Sequence, residues 1–598
     1  MKVKKLGGGA TAHKSPIGST NNQWGMKNPP LIKVSLYTYR LGEGTMKRKA
    51  TTIAAVALST SVLVAGCGNG EKASTTKKEA GKGVADKQVL NLLETAEIPS
   101  MDTSKSTDSV SFRAFVNAME GLYRLDKDNK PTPGMAKDVK ISEDKKTYTF
   151  ELRDAKWSNG DPVRAQDFVY AWQRTLDKAT AAEYAFILFD VKNAQKVNKG
   201  ELPLDQLGVK AKDDKTLVVE LEQPAPYFLE LTSFPTFFPL NEKYVKEQGD
   251  KYGLEADKLL YNGPFTMSEW KHERSYQLKK NPNYWDKDTV KLEEINVNIV
   301  KETSTGVNLY DSDQADRVIL TSEFVDKYKK NKPDEFKTKL DPRMYFLRFN
   351  QKNATFKNQK VREAIDLAYD KKGIANVILN DGSLPAYFLV PEKFTTGPDG
   401  KDFRTVNKNF RDSKDNAAKA KKLWEEAKKE LGQDTITVEL LNDDNGSRKK
   451  VGDFIKEELE KNLPGIKVNL KQQPYKQKLD LEKKFEYEFS LSAWSPDYPD
   501  PMTYIDMFVT GSSFNEMDYS NPKYDELVAK SKGELLKDDK ARWNALAEAE
   551  KILIGQDAAI SPTYQQSTAY LEKPYVKGIA NHTFGGDFSY KWAYITKK

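Results

Sequence analysis

The stretch Asp434-Thr-Ile-Thr-Val-Glu-Leu-Leu441 alternates polar and apolar side chains as a half-buried strand does, and Asn442-Asp-Asp-Asn-Gly446 behind it is turn-prone. Lys449 to Lys461 then follows helical spacing, and Ile466-Lys-Val-Asn-Leu470 returns to alternation. Strand, helix and strand in that order form a βαβ-like unit, which predicts a mixed α/β lobe with ligand sites at the carboxyl ends of its strands. Just upstream, Asn416 to Leu431 reads as an amphipathic helix with Ala and Leu on one side and Lys and Glu on the other. Val361, Ala364, Ile365 and Ala368 recur at helical spacing behind Asn358, a candidate N-cap. Nearer the start, Val89 to Leu93, Tyr148 to Leu152 and Thr216 to Leu221 alternate like strands. No internal repeat is visible.

The chain has 598 residues, room for three or four domains, and its 11% aromatic content argues against disorder. A single Cys excludes a disulfide scaffold and a Cys-cluster metal site. The three His, at positions 13, 272 and 582, leave little material for a His metal site or a Ser-His-Asp triad, and no His-Glu-x-x-His is present. No metal, cofactor or catalytic residue is therefore expected, and an enzyme is disfavoured.

Behind Met46-Lys-Arg-Lys49 lies the apolar run Ala50 to Ala65, shorter than the ~20 residues of a membrane span. It ends in Val64-Ala-Gly-Cys67, which resembles the bacterial lipoprotein signal; a signal anchor with an incidental Cys is the alternative on residues alone. The resemblance implies cleavage before Cys67 and a diacylglycerol, with a further acyl chain, on that sole cysteine. Residues 1–45 read as a translated upstream region or an expression artefact, 46–66 as the signal peptide, and 67–87 as a flexible tether. Ten of the 95 basic residues and one of the 87 acidic residues fall within 1–66. The remainder holds 85 and 86, a net charge of −1, so the basic excess belongs to the excluded segment. Nucleic-acid binding loses its compositional support.

Four stretches are dense in Trp, Gly, Pro and Asn: Trp157-Ser-Asn-Gly-Asp-Pro-Val163, Asn262-Gly-Pro-Phe265 with Lys280-Asn-Pro-Asn-Tyr-Trp285, Arg348-Phe-Asn-Gln351, and Trp494-Ser-Pro-Asp-Tyr-Pro-Asp-Pro501. Each alone reads as a packed turn with an aromatic anchor. Together and in this order they closely resemble the solute-binding proteins of bacterial peptide-uptake ABC transporters, over residues 88–598, with the oligopeptide-binding branch fitting best. One departure is Arg164, where that family usually has the Thr of a capping box; Arg accepts no hydrogen bond, so a slightly frayed helix start is expected.

The resemblance implies an α/β, two-lobed periplasmic-binding-protein-like (type II) fold with an extra subdomain. Lobe 1 is expected from 88–120, 241–345 and 562–598, the subdomain from 121–240, and lobe 2 from 346–561. It also implies an extended peptide in the cleft, with Asp497 as partner of its α-ammonium; without the family, Asp497 would be an Asx-turn residue. Ala493, Trp494 and Ser495 align with the peptide-pairing segment of lobe 2, although Trp494 would serve equally as core. Thr107, Asp108 and Ser109 fall where the opposite pairing strand lies, within Ser104 to Ser111, a run too polar for core. Tyr184 aligns with a cleft contact on the subdomain, and Asn262 is either a cleft amide or a structural turn. Leu491 and Glu482 stand where some members place arginines for the peptide's carboxyl end, which leaves ligand length and C-terminal recognition open. Lys483 and Lys484 lie nearby and also read as solvated surface.

The expected function is a lipid-anchored receptor, monomeric and held to the cell membrane only by its lipid, on the extracytoplasmic face of a Gram-positive cell. It would capture oligopeptides and deliver them to the transmembrane subunits of an ABC permease. A binder of dipeptides or another small solute on the same scaffold, and a peptide-pheromone sensor, are the alternatives.

Overall fold

The computed structural model describes residues 83–407, 409–411 and 416–598. The expected leader, signal peptide, Cys67 and most of the tether lie outside the described residues. Val89–Glu94 alternates buried and half-buried residues and pairs in parallel with Glu294–Ile299, Leu90 opposite Ile295. Antiparallel Ser275–Lys280 and Phe265–Lys271 complete this four-stranded sheet. A second four-stranded sheet is antiparallel throughout, in the order Ala136–Ile141, Thr147–Leu152, Thr216–Glu220, Val209–Asp213. The helix Ala165–Leu176 turns Phe168, Ala171, Trp172 and Leu176 into the core beside it. Its start is not left frayed. Asp167 reaches back to accept from the Arg164 backbone N–H at 3.0 Å, supplying its half of a capping box that the Arg side chain cannot complete.

The largest sheet runs Arg317–Leu320, Ile560–Glu572, Phe336–Phe349, Phe489–Trp494, Ile436–Asp443, Ile466–Gln473. Ile436–Asp443 and Ile466–Gln473 are parallel, Val438 opposite Val468, and the helix Gly446–Asn462 connects them as a βαβ unit. That helix begins earlier than its apolar spacing indicates, because Asn445 caps it by accepting from Ser447 N at 3.0 Å. Asn358 likewise caps Gln359–Ala368 through Lys360 N at 2.9 Å.

Phe336–Phe349 and Ile560–Glu572 are unusually long and antiparallel, and their register shifts between Leu340 and Met344 and again between Tyr345 and Phe346. On one side of the break Ala569 and Leu571 pack with Val318 and Val307. On the other, Tyr345, Leu347 and Tyr564 pack with Val438 and Val451. Two continuous strands thus run from one core into the next, with Pro342 at the irregularity; such breaks are where strands bend. The expected boundaries at 345/346 and 561/562 fall inside these strands.

Ser104 to Ser111 is not a solvated stretch. Ser104, Ser106, Asp108 and Ser111 are buried, because their polar groups are paired: Thr175 Oγ1 donates to Ser104 Oγ at 3.1 Å, and Ser106 Oγ donates to Ser100 O at 2.9 Å. Arg174 grips Asp102 with two bonds of 2.8 Å, tying this segment to the helix of the neighbouring sheet. Arg174→Ala would leave a buried carboxylate unpaired, and we expect a loss of about 3–5 kcal/mol in urea denaturation followed by circular dichroism.

Candidate functional site

The Phe489–Trp494 strand is hydrogen-bonded along its whole length to Phe336–Phe349, from Phe489 opposite Phe349 to Trp494 opposite Met344. Its other neighbour, Ile436–Asp443, pairs only at Phe489 and Ser490. From Leu491 to Trp494 the second edge therefore has no strand partner among the described residues. This edge borders a cavity of about 260 Å³. Thr107, Asp108 and Ser109 line it from one side, Tyr184 from the subdomain, and Ala493 to Asp497 from the other.

Asp497 lies just past the strand, in the Pro-rich corner, 3% exposed. Its backbone N–H donates to Thr503 Oγ1 at 3.0 Å, and its Oδ1 accepts from the Tyr184 hydroxyl at 3.1 Å. Oδ2 has no hydrogen-bond partner among the described residues. Burial pushes this carboxyl well above the usual carboxylate range; the Tyr184 bond offsets that only in part. Trp494 is both core and cavity wall: its ring lies within 6° of parallel to Tyr184 at 6.2 Å and meets Phe514 edge-on at 4.9 Å, with Nε1 unpartnered. Ala493 is the one exposed residue of its strand and presents only a methyl group to the cavity.

The opposite wall differs from the expected pairing strand. Asp108 is extended, neither it nor Thr107 belongs to a strand, and Ser109 opens the helix Ser109–Ala118. Asp108 is that helix's N-cap: Oδ1 accepts from Val110 N and Ser111 N, and Oδ2 from Ser111 Oγ at 2.7 Å. Both its oxygens are occupied. Asn262 does not line the cavity. Its amide pairs with the backbone of Glu120, accepting from N at 3.0 Å and donating to O at 2.9 Å, so it is the structural turn.

Two cavity groups, Arg343 and Arg113, carried no sequence signal. Arg343, at the break in the long strand, donates to Ser495 Oγ at 2.6 Å and to Asp587 Oδ2 at 3.0 Å. Arg113 also donates to Asp587, at 2.9 Å. These contacts join segments far apart in sequence, Arg113 and Asp587 by 474 residues, which no local pattern encodes. Glu482, in place of an arginine, is buried and accepts from Lys478 at 2.8 Å and Ser492 Oγ at 2.5 Å. Lys483 is not plain surface; it pairs with Glu183 at 3.0 Å.

Two lobes sharing a bent pair of strands, with a polar cavity enclosed between them, define a solute-binding protein of type II fold. Residues 130–516 match the model for bacterial extracellular solute-binding proteins, family 5 (middle). The chain belongs to this family, whose members bind rather than transform their ligands. It is 36% identical over 540 residues to the dipeptide-binding protein DppE of Bacillus subtilis, spanning 90% of this chain and 97% of that one. Among solved structures, the substrate-binding domain of an oligopeptide ABC transporter from Bacillus anthracis is 56% identical with a TM-score of 0.85, covering 86% of this chain and all of that one. Listeria monocytogenes OppA bound to peptide is 43% identical with a TM-score of 0.82, over the same shares. No helix among the described residues is long and apolar enough to cross a membrane.

Asp587 offers a test of the charged network. Burial would raise its carboxyl, but Arg343 and Arg113 bring it down to about 2. The stabilisation is thus present above the ordinary value of 3.8 and lost as pH falls through 2. Asp587→Asn should cost about 2 kcal/mol at pH 7, and the gap in melting temperature to the parent should close between pH 4 and pH 2.

Proposed function

We propose that the protein captures short peptides in the interlobe cavity and hands them to the transmembrane subunits of an ABC importer, acting as a monomer. The observation that carries this reading is the unpartnered Oδ2 of Asp497 beside the unpaired strand edge Leu491–Trp494. Every peptide has an α-ammonium and a row of backbone N–H and C=O groups, whatever its side chains. A lone carboxylate and a free edge answer those two constant features, the second by strand addition. Arg343 holds Ser495, next to that edge, and Tyr184 holds Asp497, so both recognition elements are set in place by neighbours.

The peptide-binding functions of the relatives support the ligand class. The cavity volume, near the small end of ligand pockets, favours short peptides. The Val64-Ala-Gly-Cys67 segment supports attachment by lipid at Cys67, outside the cell and leashed to its membrane.

Titration calorimetry with trialanine and its N-acetyl form tests the reading. The free amine should bind about 10²–10³-fold more tightly, and Asp497→Ala should remove that difference. Equal affinities in the parent protein would refute it.

A second outcome concerns the peptide-free protein. The native carboxyl of Asp497 titrates above 3.8, so ionised Asp497 destabilises the fold as pH rises beyond that value. Asp497→Asn should therefore raise the melting temperature at pH 7 and give little change near pH 3. A lower melting temperature at pH 7 would contradict the assignment.

A further inference from the structure

Building on the peptide reading for its ligand, we propose that the contact between the subdomain and lobe 2 is a proton-operated latch. It closes around one proton held at Asp190, and so keeps the cavity shut more firmly in acid.

Asp190 stands on the subdomain, half-buried, just behind the short helix Glu183–Leu188 and beside Val191, which bridges Leu221. The Tyr227 hydroxyl hydrogen-bonds its carboxyl. Facing this corner, lobe 2 presents Tyr498, Asp500, Asp506, Lys532 and Arg542. Tyr498 stacks on Tyr227 at 4.6 Å. Arg542 grips Asp500 with two bonds of 2.8 Å, and Lys532 donates to Asp506 Oδ2 at 2.9 Å. Both cations act on Asp190, yet each already has a carboxylate of its own. Glu183, on the same face of the subdomain, is matched by Lys483 at 3.0 Å. Among the described residues Asp190 has no such ion pair.

The lobe 2 side cannot absorb a further charge. Asp506 is 7% exposed, and its Oδ1 has no partner among the described residues. Tyr524 also faces Asp506, but its hydroxyl donates to Ile505 O. Asp497 adds repulsion on Asp506 from the ligand side. Asp190, Asp500 and Asp506 thus meet only Lys532 and Arg542. In a partly dried interface that surplus negative charge is relieved by a proton.

Burial above all, with Asp506, pushes the Asp190 carboxyl up from 3.8 to about 6, against the pull of Lys532, Tyr227 and Arg542. With the two sides apart the carboxyl returns to its ordinary range, so the assembled contact takes up a proton between those values. The latch is strongest below 3.8, weakens as pH rises to 6, and above 6 carries the full cost of the third charge. A peptide reaches the enclosed cavity only when the two sides part, so the strength of the latch enters its affinity.

Asp497 titrates as well, and its effect cancels when two proteins that share it are compared. The test is therefore calorimetry with trialanine on the parent and on Asp190→Asn, at pH 7.5 and pH 5. Asn is neutral throughout, so the variant should bind about 100-fold more tightly than the parent at pH 7.5 and only about 10-fold more tightly at pH 5. Equal or weaker binding by the variant at pH 7.5, or an advantage that does not shrink in acid, overturns the inference. Small-angle scattering of the peptide-free parent needs no variant to fold: the protein should be more compact at pH 5 than at pH 7.5, and an unchanged radius of gyration overturns the latch. If trialanine binds neither protein at either pH, the peptide reading falls, and the scattering alone decides the latch.

Discussion

A carboxylate removed from water with only one oxygen hydrogen-bonded is costly, and the rest of the site is arranged around that cost. Asp497 lies on one side of the cavity, while the one side-chain partner of its carboxylate among the described residues, the Tyr184 hydroxyl, comes from the subdomain opposite. In this arrangement the carboxylate is buried, and the phenol satisfies only one of its two oxygens. A ligand cation at Oδ2 would remove the remaining penalty. A binding protein of this kind needs no moving catalytic group; differential stability of the closed form is sufficient.

The hinge follows from the same geometry. Two long strands cross between the cores, and their register breaks around Pro342. Arg343 sits at that break and reaches both Ser495 on the binding segment and Asp587 in the C-terminal segment. A half-buried arginine at the bend thus ties the binding segment to the C-terminal segment. The Tyr227–Tyr498 stack at 4.6 Å and the Tyr184–Trp494 contact add apolar area across the same closure.

Periodicity alone revealed the elements whose faces are cleanly divided. Thr147–Leu152 and Ile436–Asp443 alternate because one face is buried, and Asn416–Leu431 separates its charges because one face is wet. The polar run Ser104–Ser111 misleads, since composition implies exposure whereas Asp102–Arg174 and the Asp108 cap satisfy it in the interior. Asn262 shows the same limit: its residue type suits a ligand amide or a turn, and only its reciprocal bonds to Glu120 distinguish them. Asp497 was singled out only through the family resemblance of Trp494-Ser-Pro-Asp, and the structure places it in the cavity wall. Arg343 and Asp587 were not legible, because their contacts join distant segments and no spacing rule records those.

The most direct measurement is a crystal structure of the protein soaked or grown with a free tripeptide. The account predicts the peptide α-nitrogen within about 3 Å of Asp497 Oδ2, with the peptide backbone paired to the Leu491–Trp494 edge. A peptide bound in the cavity with its amine pointing away from Asp497, or bound outside the cavity altogether, would contradict it.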